Sequence, residues 1–158
     1  MLILEFEEHR TNEEGKEIFE SCDWWKELVS RAAQDADRFE VRCWEDEQEG
    51  IAFGQQYGQK QESSTKEIVF AGELTGQALS ALVGDCVGAD GVLKYFTLNL
   101  YAGGKLLFSS SHYGSEIYWM KDSFAEIGFL MSGKQTRSIP ERNRPCFMRW
   151  FFGCSGKR

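Results

Sequence analysis

Residues 95–119 read YFTLNLYAGGKLLFSSSHYGSEIYW, and this stretch decides the fold. Phe96, Leu98 and Leu100 alternate with Tyr95, Thr97, Asn99 and Tyr101, the two-residue period of a strand with one buried face. Gly103-Gly104 then offers a two-residue hairpin turn, where positive φ costs glycine little. The chain resumes over 105–110, turns near 112–115 and resumes again over 116–120. That is a three-stranded antiparallel meander, the seed of an α+β domain.

Working outward, Leu2, Leu4 and Phe6 alternate with Ile3, Glu5 and Glu7 as a strand. Thr11 and Glu14 have capping-box spacing, and Ile18, Cys22, Trp25, Val29, Ala32 and Ala36 follow at steps of three and four. This predicts one long amphipathic helix to about Asp35, with Asp23 able to restart or kink it. Phe39, Val41 and Cys43 mark a second strand. Glu45, Asp46, Glu47, Glu49 and Gly50 read as an acidic turn, Ile51 and Phe53 as a short third strand, and 54–64 as a loop. A fourth strand is expected around 67–71, a helix burying Leu79, Leu82 and Val83 over 76–84, and a loop over 84–91. Downstream, Ser123 with Glu126 caps a third helix burying Phe124, Ile127, Leu130 and Met131, and Gly133 suits its end. A basic link with Pro140 and Pro145 leads to a last strand over 147–152. The expected fold is therefore α+β. A mainly antiparallel sheet of six to eight strands carries one long N-terminal helix and two shorter helices. A single domain would span 1–152, with a flexible basic tail over 153–158.

The chain has 158 residues, 42% of them hydrophobic, and a formal charge of −7, which suits one globular domain. No stretch approaches the roughly 20 apolar residues of a membrane helix. The start, MLILEFEEHR, has a four-residue apolar run followed by acids, unlike a signal peptide, so a cytoplasmic protein is expected. Five cysteines at wide spacings, none in C-x-x-C, argue against a disulfide framework or a structural zinc site. Cys22, Cys43 and Cys86 fall on apolar faces and read as buried thiols, whereas Cys154 belongs to the tail. Charge is uneven: −10 over residues 1–50, −3 over 51–133 and +6 over 134–158. An acidic body argues against a nucleic-acid binder. The basic end can touch a phosphate surface or pair with the acidic half of its own chain.

Cofactor and metal signatures are not spelled out. Residues 128–134 satisfy seven positions of G-x-x-x-x-G-K-[ST], but Gln135 takes the place of the hydroxyl, and a helix precedes where a strand is needed. GQQYG and GDCVGADG lack dinucleotide spacing, and Asp85, Asp90 and Gly91 do not match a calcium loop. His112 follows Ser109, Ser110 and Ser111, a run that reads most simply as a solvated strand end. Glu116 or Asp122 could orient its ring, and Cys86 or Cys43 could serve as nucleophile. Trp44 directly precedes Glu45, Asp46, Glu47 and Glu49. An aromatic anchor beside clustered carboxylates is a surface that captures a basic protein, and it is equally an ordinary solvated turn.

Residues 95–127, YFTLNLYAGGKLLFSSSHYGSEIYWMKDSFAEI, resemble segments of small immunity proteins from bacterial polymorphic-toxin systems. A strand, a Gly-rich hairpin, an HYGSEIYW strand and a capped helix carry the resemblance over about a fifth of the chain. It implies a non-enzymatic, cytoplasmic protein that binds and inhibits a cognate, basic toxin domain without a cofactor. On that reading Glu45, Asp46, Glu47 and Glu49 stand in for substrate phosphates and Trp44 anchors the partner. The basic C-terminal end departs from an all-acidic version. Two other readings stay open. One is a small hydrolase-type enzyme around His112, Glu116 and a thiol. The other is an assembly component that uses its basic end as an arm.

Overall fold

Alternating burial along the strands builds the sheet, and its core face fixes where the helices dock. The computed structural model describes residues 2–5, 10–11, 13, 15, 17–18, 21–84 and 86–120. The strands are β1 (Leu2–Glu5), β2 (Arg10–Thr11), β3 (Glu17–Ile18), β4 (Arg38–Cys43), β5 (Gln59–Gln61), β6 (Ile68–Glu73), β7 (Thr97–Ala102), β8 (Lys105–Ser111) and β9 (Glu116–Trp119). The helices are α1 (Asp23–Ala32), α2 (Gln48–Tyr57) and α3 (Gly76–Gly84). Seven strands form one sheet in the order β1-β9-β8-β7-β4-β6-β5, with every pairing antiparallel. β2 and β3 make a separate small ladder. The fold is α+β, as the sequence predicts.

On the core face lie Phe39, Val41 and Cys43 of β4, Leu98 and Leu100 of β7, Phe108 of β8 and Ile117 of β9, all fully or almost fully buried. Glu40, Arg42 and Asn99 point the other way, consistent with the two-residue period. There Arg42 Nε donates to Glu40 Oε1 at 2.8 Å and its Nη1 to Glu67 Oε2 at 3.2 Å, while Asn99 Nδ2 donates to Glu40 Oε1 at 2.9 Å. The partly buried charges on this face are thus paired, which offsets the cost of their desolvation.

α1 docks through Trp25, Leu28, Val29 and Ala32. Trp25 Nε1 donates to Ser110 Oγ at 2.9 Å, tying the helix to β8. α2 presents Gly50, Phe53 and Gly54 to the sheet, with the Phe53 ring 5.4 Å from Phe39 and 5.3 Å from Tyr95. α3 buries Ala78 and Leu82, and Thr75 Oγ1 accepts the Ala78 N–H at 3.1 Å as its cap.

Several expectations are corrected. The long N-terminal helix is not formed: α1 has ten residues, the same as α2. Ile18 belongs to β3, and Gly15 at φ 79° lies between β2 and β3, in a conformation that suits a tight turn and not a helix. Just ahead of the helix, Ser21 Oγ accepts the Asp23 N–H at 3.2 Å. The short third strand at Ile51 and Phe53 is α2, and the loop over 54–64 contains its end and edge strand β5. In α3 the fully buried residues are Ala78 and Leu82, while Leu79 and Val83 pack at the margin. Ser109, Ser110 and Ser111 are buried and not a solvated strand end. The expected third helix, the strand over 147–152, the tail over 153–158, Asp122, Cys154 and the near-miss loop over 128–134 lie outside the described residues.

α2 reaches the sheet only because Gly54 has no side chain: a Cβ there would run into the Phe70 ring. Gly54→Ala is therefore expected to destabilise the protein by about 1–3 kcal/mol. Gly76→Ala, whose Cβ would meet open space at the start of α3, is expected to hold or raise stability. Urea midpoints at unchanged m check both.

Candidate functional site

The acidic stretch after β4 forms a corner in which local hydrogen bonding decides which carboxylates are available. Trp44 and Glu47 close it: the Glu47 N–H donates to Trp44 O at 3.1 Å, and Glu47 Oε2 accepts the Trp44 N–H at 2.8 Å. Gln48 Nε2 donates to Glu45 O at 2.8 Å and starts α2. Glu47 is thereby turned inward, leaving Glu45, Asp46 and Glu49 exposed.

A cleft of about 280 Å³ opens beside this corner, lined on one side by Asp46, Glu47 and Glu49, and on the other by the loop over 88–94. That loop is held by its own bonds. Gly88 N–H donates to Val92 O at 2.8 Å, and Val92 N–H donates to Asp90 Oδ1 at 3.1 Å. A Cβ at Gly88 would meet Asp90 Oδ1 at 2.8 Å and Glu49 Oε2 at 3.0 Å, so both carboxylates converge on that glycine. The largely buried Lys94 Nζ lies 3.8 Å from Glu49 Oε2. Four carboxylates and one ammonium line the cleft, which is net negative.

Tyr113 completes the wall. It stands in the turn between β8 and β9, where His112, Tyr113 and Gly114 have φ of 49°, 56° and 86°. Histidine visits this left-handed region more than most residues, whereas tyrosine there is a true outlier costing of order 1–3 kcal/mol. The Tyr113 N–H donates to Phe96 O at 3.1 Å, and its phenol hydrogen-bonds Glu47. Burial, then the Glu47 carboxylate, pushes that phenol well above the usual tyrosine range. Phe96 stacks edge-on against Tyr113 at 5.4 Å and His112 at 5.2 Å, and lies 5.1 Å from the Trp44 ring. Trp44 is thus half-buried on Phe96.

Glu116 does orient His112: Nδ1 lies 3.3 Å from Glu116 Oε1, and Tyr118 donates its O–H to Glu116 Oε2 at 2.7 Å. The hydrogen bond to Glu116 raises the His112 pKa against the pull of burial, and the same bond lowers that of Glu116. The thiols are poorly suited to nucleophilic work. Burial, then Glu47, pushes Cys43 up to about 12. The Cys22 thiol hydrogen-bonds that of Cys86, which together with burial pushes it far above the ordinary range. Ser110 Oγ is occupied by Trp25, and Ser109 Oγ and Ser111 Oγ lie 3.4 Å apart.

Of the residues singled out from sequence, Asp46, Glu47 and Glu49 share the cleft, while Trp44 and Glu45 stand just outside it. Sequence reading missed Asp90, Lys94 and Tyr113, which long-range pairing brings in. Among the described residues, no group of three or more His, Cys, Asp or Glu is arranged to hold a metal ion, and no helix is long and apolar enough to cross a membrane. No family model, curated protein or solved structure matches the chain.

Glu47 holds the corner together, whereas Glu45 only decorates it. Glu47→Ala is expected to cost about 1–3 kcal/mol, the loss of a hydrogen-bonded charge. Glu45→Gln is expected to change stability by no more than about 0.5 kcal/mol. Thermal and urea unfolding of the two variants side by side checks the difference.

Proposed function

We propose that this chain is a non-enzymatic binding protein of the immunity type, which captures a basic partner at the corner formed by Trp44, Glu45, Asp46, Glu47 and Glu49. The partner would be a cognate toxin domain whose substrate-binding cations these carboxylates neutralise. The observation that carries the reading is the convergence of Asp46, Glu47, Glu49 and Asp90 on one cleft that holds a single ammonium. Such a patch speeds encounter with a cation-rich surface and disfavours acidic competitors. The half-buried Trp44 and Phe96 beside it supply the rigid aromatic area that hot spots favour. Glu47 acts as a positioning residue here, and Glu45, Asp46 and Glu49 supply the exposed charge. On this reading the protein works in the cytoplasm and needs no cofactor.

One observation favours a second reading, a small hydrolase-type enzyme: the Tyr118–Glu116–His112 chain has the form of an oriented general base. Against it, the described thiols Cys22, Cys43 and Cys86 are all buried.

The test begins with capture of a partner from host lysate at low and high salt, followed by stopped-flow association with the purified pair. Replacing Glu45 and Asp46 together by Lys is expected to lower the association rate about tenfold or more at low ionic strength and to flatten its salt dependence, with dissociation little changed. An unchanged rate would mean that the corner does not meet the partner.

A further inference from the structure

The turn between β8 and β9 is held in an unfavourable backbone conformation by contacts on every side. The Tyr113 N–H reaches Phe96 O at 3.1 Å, the Gly114 N–H reaches Ser111 O at 3.0 Å and the Ser115 N–H reaches His112 O at 3.2 Å. Phe96 packs on both His112 and Tyr113. Beneath the turn, a Cβ on Gly114 would meet Leu93 Cδ1 at 2.6 Å, so the backbone rests directly on the core. To these fixed contacts is added one whose strength varies with proton concentration. His112 Nδ1 lies 3.3 Å from Glu116 Oε1, and Glu116 is braced from behind by the Tyr118 O–H at 2.7 Å.

We infer that the Tyr118–Glu116–His112 chain is a pH-operated clamp on this turn, which holds Tyr113 in the wall of the acidic cleft. The charged groups acting on His112 are Glu116 on β9 and Glu67 just before β6, both favouring imidazolium, while Phe96 presents an uncharged ring edge. Glu67 is itself engaged by Arg42 at 3.2 Å, which leaves Glu116 as the direct partner. On the far side of the turn, Glu47 and Asp46 face the Tyr113 phenol.

The sign follows from the two groups. His112 is raised above its ordinary 6.5, so its contribution is fully present below pH 6.5 and is lost as pH rises through the raised value. Glu116 is lowered from its ordinary 4.5, so its contribution is fully present above pH 4.5 and is lost as pH falls through the lowered value. The clamp is therefore closed between pH 4.5 and 6.5 and loosens on the alkaline side first as the protein moves away from neutrality. Loosening removes one of the contacts that hold the β8–β9 turn and so weakens the hold on Tyr113 against Glu47. A cleft whose wall depends on imidazolium is better formed in mildly acidic surroundings than in alkaline ones.

The experiment uses the protein alone, so its outcome does not depend on whether the cleft meets a partner. Amide hydrogen exchange is read residue by residue by NMR at pH 5.5 and 8.5, corrected for intrinsic rates and normalised to the core amide of Leu100. In the wild type, protection of the Tyr113, Gly114 and Ser115 amides is expected to fall about two- to fivefold between the two pH values, the range of solvent-accessible ion pairs. His112→Asn keeps a residue tolerant of the left-handed region but cannot reach Glu116, so its profile is expected to be flat. Glu116→Gln keeps the shape and removes the charge. It is expected to lower the midpoint of the His112 imidazole titration and to flatten the exchange profile as well. A wild-type profile that stays flat while His112 titrates overturns the clamp, as does a fall that persists in both variants.

Discussion

A single buried indole sets the arrangement of the rest. Trp25 is 1% exposed, and a buried indole N–H left without an acceptor would cost about 1–3 kcal/mol. Ser110 Oγ provides it at 2.9 Å, joining α1 to an interior strand across 85 positions of sequence. That bond, together with burial of Leu28, Val29 and Ala32, seats α1 on the sheet. The adjoining ring surfaces then define where the β8–β9 turn can rest. A Cβ on Gly114 would lie 3.5 Å from Trp25 and 3.6 Å from Trp24, so the turn sits on the two indoles. From there the chain delivers Tyr113 to Glu47 and His112 to Glu116. A serine in the middle of an apolar face is thus a requirement of the tryptophan opposite.

The carboxylates at the acidic corner divide by what the backbone asks of them. Glu47 gives one oxygen to the Trp44 N–H and faces the Tyr113 phenol, so it ties the corner to the β8–β9 turn and is not a free charge. Asp90 gives Oδ1 to the Val92 N–H and rigidifies its loop. Each of these groups is therefore committed to shaping the cleft, and each adds negative potential at a fixed place. Glu45, Asp46 and Glu49 are exposed and stand at its rim. Shape comes from the inner pair and accessibility from the outer three. Preorganisation of this kind is what lets a charged surface recognise a partner without first reorganising itself.

Legibility in the sequence followed the locality of the interactions. β4 and the β7–β8–β9 meander could be read because alternation and the Gly103-Gly104 turn are written within a few residues of each other. α2 could not. Glycines at 50 and 54 weaken its helical propensity, and Ile51 and Phe53 alternate as a strand would. What makes this segment helical is tertiary: Gly50 lies against the Lys94 carbonyl and Cys43 Sγ, and Gly54 against Phe70, all outside the helix itself. The opposite error arose at Ile18, where a coincidence of spacing extended the helical stripe into β3, and at Thr11 and Glu14, whose capping-box spacing placed the helix start ahead of Gly15. At the site, the run from Trp44 to Glu49 announces itself by composition. Asp90, Lys94 and Tyr113 are separated from it by some 40 to 65 positions and carry no local signal, because antiparallel pairing of β4 with β7 and of β7 with β8 is what brings them near.

Net charge alone says little about where a partner would be met, because much of it is cancelled in place. Glu27 is paired with Arg31 at 2.7 Å, and Glu40 and Glu67 share Arg42. Charges more than about 8 Å apart are largely screened at physiological ionic strength. The −10 of residues 1–50 therefore does not act as one field. What survives screening is a local excess: Asp46, Glu47, Glu49 and Asp90 line one cleft with a single ammonium, Lys94, whose Nζ lies 3.8 Å from Glu49 Oε2. The low-dielectric walls supplied by Val92, Leu93 and Tyr113 focus that excess outward. An approaching cation responds to this corner and hardly at all to the total.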